Sequence, residues 1–321
     1  MLTKAVSITP SYSTYKKRDF LTLLDYSATE IEELVMLAHK LKNYQKNNVT
    51  YAPLGGKTLG MIFEKASTRT RVSFEVGMFQ LGGHALFLNK EDLQLNRGET
   101  VADTAQTLSR YVDVILLRTS SHDNLVELAE NATVPVINAL SDLYHPTQII
   151  ADLLTIYEKK GKWKGVKLTY VGDGNNVAHS LMIAGAKLGM EITVATPAGY
   201  APDSAVTMKA LLLAEEHGGK VTITPDVENA VKDADIVYTD VWCSMGFESE
   251  SDKRVQDFKD YQVNEKLVKL AKKDYTFMHC LPAHRGQEVT AEVIDGEHSV
   301  VFDEAENRLH AHKAILVKLL T

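Results

Sequence analysis

Short apolar stretches alternate with amphipathic segments along most of the chain after residue 57. The apolar stretches have the length of buried β-strands, and the segments between them carry apolar side chains at helical spacing. Strands and helices that alternate in this way are typical of a parallel sheet covered by helices. In the first half we predict strands at 58–63, 85–88, 112–117 and 136–138, and helices at 28–44, 68–81, 100–109 and 124–130.

A longer helix is predicted at 145–160, and we expect it to bridge two domains because the alternation then starts again. The second half has predicted strands at 167–171, 191–196, 221–224, 236–239, 276–279 and 300–302, and predicted helices at 176–188, 204–217, 265–272 and 304–320. This pattern predicts an α/β protein with two doubly wound parallel-sheet domains joined by helices, and an active site in the cleft between them. The predicted domains are 1–148 together with 304–321, and 149–303.

Composition limits the classes of partner. The chain has 321 residues, and its 45% hydrophobic content can fill a core in each of two domains. The formal net charge of −7 argues against a general binder of nucleic acid or anionic membrane, so a phosphate site must be a local group of Arg side chains. Two cysteines and the lack of an apolar segment of membrane-spanning or secretion-signal type favour a cytoplasmic protein. The net charge and the need for a local phosphate site point to a small anion as the ligand.

The best candidate for such a site is the segment 67–71, Ser-Thr-Arg-Thr-Arg, which we call the anion turn. It lies between a predicted strand and a predicted helix, where the first backbone N–H groups of the helix point outward with partial positive charge. Hydroxyl and guanidinium groups would add further donors for a phosphate. On local sequence alone, a Ser or Thr cap followed by a solvated basic helix face explains the segment equally well.

Other polar residues fall at the carboxyl ends of predicted strands, where doubly wound sheets bind ligands. Arg118 closes the strand 112–117, although a cation there is also typical of an ordinary surface. His145 and Gln148 open the bridging helix and could present a donor pair to a carbonyl oxygen. A helix that simply starts at a proline is the alternative.

Two more candidates follow strands of the second half. Asp240 begins a loop that reaches Gly246 and could bind an ammonium group, or act only as a helix cap. Cys280 follows the strand 276–279, but no cation is placed to lower its pKa, so we expect a non-covalent role for the thiol. A zinc site built from Cys280, His279 and His284 lacks the paired ligand spacing of structural zinc sites.

Two segments imitate nucleotide-binding motifs. The segment 171–177 begins like a dinucleotide fingerprint, but Val177 stands where the third glycine is required. The segment 51–58 ends like a P-loop, but Tyr51 replaces its first glycine and the strand follows the motif instead of preceding it. Both features argue against a dehydrogenase or an ATP-binding protein.

Ser-Thr-Arg-Thr at 67–70, His-Pro-Thr-Gln at 145–148 and His-Cys-Leu-Pro at 279–282 occur in this order, each at a predicted strand end. Together they resemble the aspartate and ornithine carbamoyltransferase family, and the resemblance extends from about Asp19 to the last helix. Within that family, the loop from Asp240 through Ser-Met-Gly at 244–246 resembles the loop that recognises ornithine. The segment 172–176 resembles its partner in holding the amino acid.

The resemblance implies a set of binding residues. Those implied for carbamoyl phosphate are Ser67, Thr68, Arg69, Thr70, Gln94, Arg118, His145, Gln148, Cys280, Leu281 and Arg308. Those implied for ornithine are Asn176, Asp240, Ser244 and Met245. Catalytic contributions are implied for Arg69, Arg118, His145, Asp240 and Cys280. The family also implies a homotrimer, or a multiple of one, without metal or organic cofactor.

The implied reaction transfers the carbamoyl group of carbamoyl phosphate to the δ-amine of L-ornithine and gives L-citrulline and phosphate, as in arginine biosynthesis. Attack of a neutral amine creates an oxyanion, and Arg69, Arg118 and His145 are suited to stabilise it without a covalent enzyme intermediate. Putrescine or N-acetylornithine as acceptor, and a catabolic role, remain alternatives. Outside the family, the alternative is a two-lobed protein that binds a phosphorylated small molecule without transforming it.

Overall fold

The computed structural model describes residues 17–243 and 248–321, and within them the chain forms two parallel β-sheets. The strands of the first sheet are β1 (Thr58–Phe63), β2 (His84–Asn89), β3 (Val114–Arg118) and β4 (Val136–Leu140). Their order is β2-β1-β3-β4, and every pairing is parallel. Strand β2 therefore lies on one side of β1, and β3 and β4 lie on the other side. This reversal creates a switch point between β1 and β3.

Four helices accompany this sheet, and each begins where a Ser or Thr side chain accepts a backbone hydrogen bond. They are α1 (Ala28–Lys46), α2 (Thr68–Gln80), α3 (Val101–Leu108) and α4 (His122–Asn131). The cap of α1 is a complete capping box formed by Ser27 and Glu30. Local chemistry thus sets the helix starts, and the apolar faces then pack on the sheet.

Helix α5 (Pro146–Lys160) joins the two halves and ends at Gly161, whose φ of 71° only glycine adopts readily. The second sheet follows with β5 (Lys167–Val171), β6 (Glu191–Ala195), β7 (Lys220–Thr224), β8 (Ile236–Thr239) and β9 (Thr276–His279). Its order is β7-β6-β5-β8-β9, again fully parallel, with a switch point between β5 and β8. The predicted fold class is confirmed.

The helices of the second half are α6 (Asn176–Lys187), α7 (Ser204–His217), α8 (Val227–Val231), α9 (Ser251–Asp257), α10 (Glu265–Val268) and α11 (Ala291–Ile294). The last helix, α12 (Val301–Leu320), packs against α1, α2 and α5 beside the first sheet. One cluster of buried apolar side chains runs from the first sheet through α5 and α6 to the second. No helix in the described part of the chain is both long and apolar enough to cross a membrane.

Two sequence predictions of secondary structure were wrong. The predicted strand 300–302 is not a strand, because only Ser299 forms a bridge, to Phe277, and α12 already begins at Val301. Val301 is buried while Phe302 is exposed, so this apolar run belongs to a helix with one buried face. The predicted helix 265–272 ends at Val268, and the chain then turns toward β9.

Candidate active site

A cavity of about 990 Å³ lies where the carboxyl ends of strands from both sheets meet. Ser67 after β1 and Arg118 at the end of β3 line it from the first switch point. Asn176 after β5 and Asp240 after β8 line it from the second. Because a switch point leaves a crevice between diverging crossover connections, ligand binding is expected at both. Here the two crevices open into the same space.

The anion turn forms the first wall of this cavity. Ser67 is the N-cap of α2, and its Oγ accepts a hydrogen bond from the Thr70 backbone N–H at 3.3 Å. The Thr70 hydroxyl is buried and accepts a hydrogen bond of 2.7 Å from the Arg308 guanidinium of α12. The start of α2 is therefore fixed to the last helix of the chain, and Ser67, Thr68 and Arg69 line the cavity.

The two guanidiniums of the anion turn point in different directions. Arg69 lines the cavity and donates a hydrogen bond of 2.5 Å to the Leu281 carbonyl oxygen, across from the other sheet. Arg71 lies on the outer surface, where it contacts Glu75 at 3.4 Å and stacks 3.7 Å above the Phe87 ring. Residues two apart on a helix face nearly opposite sides. Of these two guanidiniums, only that of Arg69 contributes charge to the cavity.

Three guanidiniums form a cation cluster, in which Arg118 and Arg308 are buried and Arg69 is half-buried. Burial lowers the pKa of Arg118 to about 9, and the charges of Arg308 and Arg69 add to this effect. Burial, followed by repulsion from Arg69, lowers the pKa of Arg308 to about 10. Both groups remain protonated at neutral pH, and an anion placed among them would relieve the repulsion that lowers these pKa values.

His145 is the N-cap residue of α5 and is almost fully buried beside the cation cluster. Burial lowers its pKa well below the ordinary value, and the nearby charges of Arg308 and Arg118 lower it further. The imidazole is therefore neutral at physiological pH and retains one N–H donor for a carbonyl oxygen. Its backbone N–H is fixed by the Ser180 hydroxyl at 2.9 Å.

Gln148 lies one turn along α5, but it does not act as the donor that the sequence suggested. Its Nε2 atom donates to Asp152 Oδ1 at 2.8 Å and lies 3.4 Å from Glu304 Oε1. Its Oε1 atom is buried without a hydrogen-bond partner in the part of the chain that the structure describes, and the residue lines the cavity. Gln148 therefore offers an acceptor, not a donor.

The second wall of the cavity is built around Asp240 and Cys280. Asp240 Oδ2 accepts a hydrogen bond of 2.9 Å from the Asn175 side chain, and Asp240 Oδ1 accepts from the Cys280 thiol at 3.1 Å. Burial raises the pKa of Cys280 well above its usual value, and the charge of Asp240 raises it further. The thiol stays protonated, which supports a non-covalent role. Asn176 is fixed by a hydrogen bond of 2.6 Å to the Ser141 carbonyl.

His279 has a structural position behind this wall. Its Nδ1 accepts a hydrogen bond of 2.9 Å from the Leu281 N–H, and its Nε2 lies 3.2 Å from Glu288 Oε1. Asp240, His279 and Cys280 bring their ligand atoms within 4.8 Å of one another. Both ring nitrogens of His279 are already used in hydrogen bonds, so this group does not present the free lone pairs of a metal site.

Arg254 is a residue of the cavity wall that escaped sequence analysis. Arg254 of α9 donates to Asp173 Oδ2 at 2.7 Å and to the Trp242 carbonyl at 3.0 Å, and all three residues are buried. This ion pair fastens α9 to the loop that follows β5. Arg254 lies in an ordinary charged segment, which gave no signal of its buried position.

Three of the residues predicted to bind substrates are not among the described residues that line the cavity. Gln94 belongs to a short 3₁₀ helix, Gln94–Arg97, is exposed, and does not line the cavity. Ser244 and Met245 lie outside the described residues, which resume at 248. The neighbouring Cys243 does line the cavity.

The fold and the cavity define a two-domain α/β protein whose facing switch points form an anion-binding cleft. Two family models cover nearly all of it: the aspartate/ornithine carbamoyltransferase carbamoyl-P binding domain matches residues 18–158, and the Asp/Orn binding domain of the same family matches residues 164–319. The chain belongs to the aspartate/ornithine carbamoyltransferase family.

Individual relatives agree with this assignment. An ornithine carbamoyltransferase of Anoxybacillus flavithermus is 60% identical over 95% of this chain and 97% of that protein. The solved structure of ornithine carbamoyltransferase from Pyrococcus furiosus is similar with a TM-score of 0.92 and 60% identity, over 95% of this chain and 97% of that one. The anabolic ornithine carbamoyltransferase of Campylobacter jejuni is similar with a TM-score of 0.89 and 44% identity, over 94% and 98%.

Proposed function

We propose that this protein transfers the carbamoyl group of carbamoyl phosphate to the δ-amine of L-ornithine, giving L-citrulline and phosphate. The observation that carries the proposal is that one cavity has two walls of different charge. The cation cluster and the anion turn suit a phosphate, and the carboxylate of Asp240 suits an ammonium group. The relatives named ornithine carbamoyltransferase, including anabolic ones, support the same reaction and a place in arginine biosynthesis.

In this proposal the phosphate of carbamoyl phosphate is bound by the N–H and hydroxyl groups of the anion turn, Ser67 to Thr70, and by Arg69 and Arg118. Guanidinium groups suit it because they bind phosphate oxygens in a bidentate manner. The carbamoyl oxygen accepts from neutral His145 and from Arg308, whose Nε has no partner among the described residues. Cys280 and Leu281 contribute backbone carbonyls to the carbamoyl NH₂.

Ornithine occupies the second wall. Asn176 and the Met245 backbone hold its α-carboxylate, and Asp240 with Ser244 holds its α-ammonium. The δ-amine then lies beside the Cys280 thiol and faces the carbamoyl carbon. It must lose its proton before attack, and the cation cluster favours this loss because a neighbouring positive charge lowers the pKa of an amine.

The chemistry that remains is addition and elimination. The amine nitrogen bonds to the carbamoyl carbon, and the negative charge that develops on its oxygen is stabilised by His145 and the guanidiniums. The bond to phosphate then breaks, and the proton released by the amine leaves with the phosphate. Because both substrates are held together, orientation alone can supply roughly 7 to 11 kcal/mol of the barrier reduction.

We also propose a homotrimer, or a multiple of one. An apolar surface remains exposed on α2 and on the neighbouring edge strand β2, formed by Val72, Val76, Phe79 and Leu86. Side chains of this size on an unpaired sheet edge favour contact with another copy. In such an assembly Gln94 of one copy contacts carbamoyl phosphate in the cavity of a second copy, since Gln94 does not line the cavity of its own chain.

Two further parts of the proposal concern the domain boundaries and the cellular location of the protein. We propose that residues 1–148 with 304–321 form the carbamoyl-phosphate domain and that residues 149–303 form the ornithine domain; the packing of α12 on α1 and α2 supports this division. We propose a cytoplasmic location, because Cys243 and Cys280 form no disulfide.

The test is an acceptor panel. Purified protein with carbamoyl phosphate is offered ornithine, putrescine, aspartate or N-acetylornithine, and the carbamoylated product is measured. We expect citrulline from ornithine at a kcat/KM about a hundredfold or more above that of the other acceptors, because a buried group left unpaired by the wrong acceptor discriminates strongly. Preference for another acceptor would contradict the proposal, and binding of carbamoyl phosphate without any product would favour a binding protein.

A further inference from the structure

Two buried carboxyl groups, Asp152 on α5 and Glu304 on α12, lie behind the cation cluster. Asp152 is 0% exposed and Glu304 is 1% exposed. The Tyr238 hydroxyl lies 3.1 Å from Asp152 Oδ2 and 3.2 Å from Glu304 Oε1, so it reaches both carboxyl groups. The other oxygen of Glu304, Oε2, accepts a hydrogen bond of 3.0 Å from the His279 backbone N–H. The pair thus connects α5, α12 and the ends of β8 and β9.

Two carboxyl groups this close and this deeply buried cannot both carry a full negative charge. Burial raises the pKa of Asp152 and of Glu304, and the charge of Asp152 raises that of Glu304 further. The two groups therefore share a proton near neutral pH instead of carrying two full charges. The ionised form of Asp152 lies near Arg308, which follows Glu304 by one helical turn, and favours the protonated form of Arg308.

The pair determines which end of the Gln148 amide faces the cavity. Asp152 and Glu304 both offer oxygens to Nε2, at 2.8 and 3.4 Å. A reversed amide would direct Oε1 at a group that carries a negative charge, which is unfavourable. With Nε2 committed to the carboxyl pair, Oε1 is the atom left for a ligand, and a carbamoyl NH₂ is a donor that it can accept.

We propose that Asp152 and Glu304 are positioning residues for carbamoyl transfer, which fix Gln148 so that its Oε1 accepts a hydrogen bond from the NH₂ of carbamoyl phosphate. This inference rests on the proposed function. It adds a source of discrimination: inorganic phosphate occupies the same anion turn but has no NH₂, so the carboxyl pair contributes to the binding of the substrate and not to that of the phosphate product.

The test is the double variant Asp152→Asn, Glu304→Gln, which has the same shape but carries amide groups in place of the carboxyl pair. Its new N–H donors attract Oε1 of Gln148 inward, and the cation cluster loses a nearby negative charge. We expect the KM for carbamoyl phosphate to rise about tenfold or more, since a buried hydrogen bond is lost. We expect the Ki for inorganic phosphate to stay the same or to fall, because the site becomes more positive.

The ratio of the KM for carbamoyl phosphate to the Ki for inorganic phosphate distinguishes a positioning role from a general structural role. Glu306→Gln on the same helix is the control, because Glu306 is half-exposed and contacts Lys42 and His310 away from the cavity. We expect it to leave the ratio unchanged. If the double variant keeps the wild-type ratio while its circular dichroism shows a folded protein, or if both constants rise by the same factor, the inference is overturned.

If the double variant does not fold, Asp152→Asn alone is measured in the same way. We expect a rise of the ratio of about threefold, in line with the loss of part of the network; an unchanged ratio overturns the inference. The wild-type reaction serves as the reference for the proposed function. Absence of citrulline from the wild-type protein would reject that function, whereas citrulline with an unchanged ratio in the variants would reject only the role of the carboxyl pair.

Discussion

At the scale of single residues, the charge of the cavity depends on where each side chain points as much as on its residue type. Arg69 and Arg71 are separated by one residue, yet Arg69 donates to the Leu281 carbonyl inside the cleft and Arg71 stacks on Phe87 outside it. Sequence alone suggested that both guanidiniums contribute to the anion turn. Because α2 begins at Thr68, helical geometry assigns them to different faces.

This difference gives a paired prediction for the residue scale. We expect Arg69→Ala to lower kcat/KM for citrulline formation by about a hundredfold or more, because it removes a cation that lines the cavity from the developing negative charge. Arg71→Ala removes a charge of the same type from the outer surface and should change kcat/KM by less than about threefold, since its exposed pair with Glu75 is weak. Steady-state kinetics with both variants checks this. Equal losses in the two variants would contradict the assignment of Arg69 to the cavity.

Sequence analysis found the residues at the cavity but not all of their contacts. The three motifs at 67–70, 145–148 and 279–282 led to the right strand ends, because parallel strands of a doubly wound sheet bring their carboxyl ends together. The orientation of Gln148 could not be predicted, since it depends on Glu304, more than a hundred residues away in the chain. The role of His279 as a partner of Glu288 was not evident either, because the segment between them is neither helix nor strand and has no regular pattern.

At the scale of elements, the helix starts are the feature that sequence predicts best. Ser27, Ser67, Thr100 and Ser121 cap their helices through local hydrogen bonds, and local interactions are visible in the sequence. The start of α12 was predicted wrongly because three apolar residues, 300–302, fit a buried strand as well as a helix start. Only the burial of Val301 next to the exposed Phe302 distinguishes the two.

The attachment of α9 to the second wall gives a prediction at the same scale. Arg254→Met leaves the buried Asp173 carboxylate without its partner, and we expect the free energy of unfolding to fall by about 3 kcal/mol. The KM for ornithine should also rise, because Asp173 belongs to the loop that carries Asn176. Denaturant unfolding and kinetics with each substrate measure the two effects.

Arg285→Met is the matched control, since it breaks the exposed pair of Arg285 with Asp295. We expect a much smaller loss of stability and no change in the KM for ornithine. The role given to Arg254 is wrong if its variant raises the KM for carbamoyl phosphate but leaves that for ornithine unchanged.

At the scale of the whole molecule, each sheet contributes one switch point, and both open into one cavity. The continuous apolar cluster through α5 and α6 holds the two sheets side by side. Neither sheet alone carries the cation cluster together with Asp240 and Cys280. The transfer of a group between two substrates therefore belongs to the pair of domains and not to either one.

The exposed apolar surface of α2 leads to a prediction about assembly. We expect the protein to sediment at three times its chain mass of 35.6 kDa, or at a multiple of that value. Phe79→Asp places a charge in this surface and should shift the protein toward the monomer, because burying an unpaired charge in an interface is costly. Phe302→Asp changes an equally exposed phenylalanine at the start of α12 and should leave sedimentation unchanged. A wild-type monomer would contradict the homotrimer.

The measurement that tests the central claim most directly is the fate of a labelled carbamoyl group. Protein, ornithine and carbamoyl phosphate labelled with ¹³C at the carbamoyl carbon are followed by NMR, together with phosphate release. We expect the label to appear in citrulline, with one phosphate released for each citrulline and with a rate that depends on Arg69. Phosphate release without labelled citrulline, or label in the product of a different acceptor, would contradict the claim that this cleft carries the carbamoyl group from carbamoyl phosphate to ornithine.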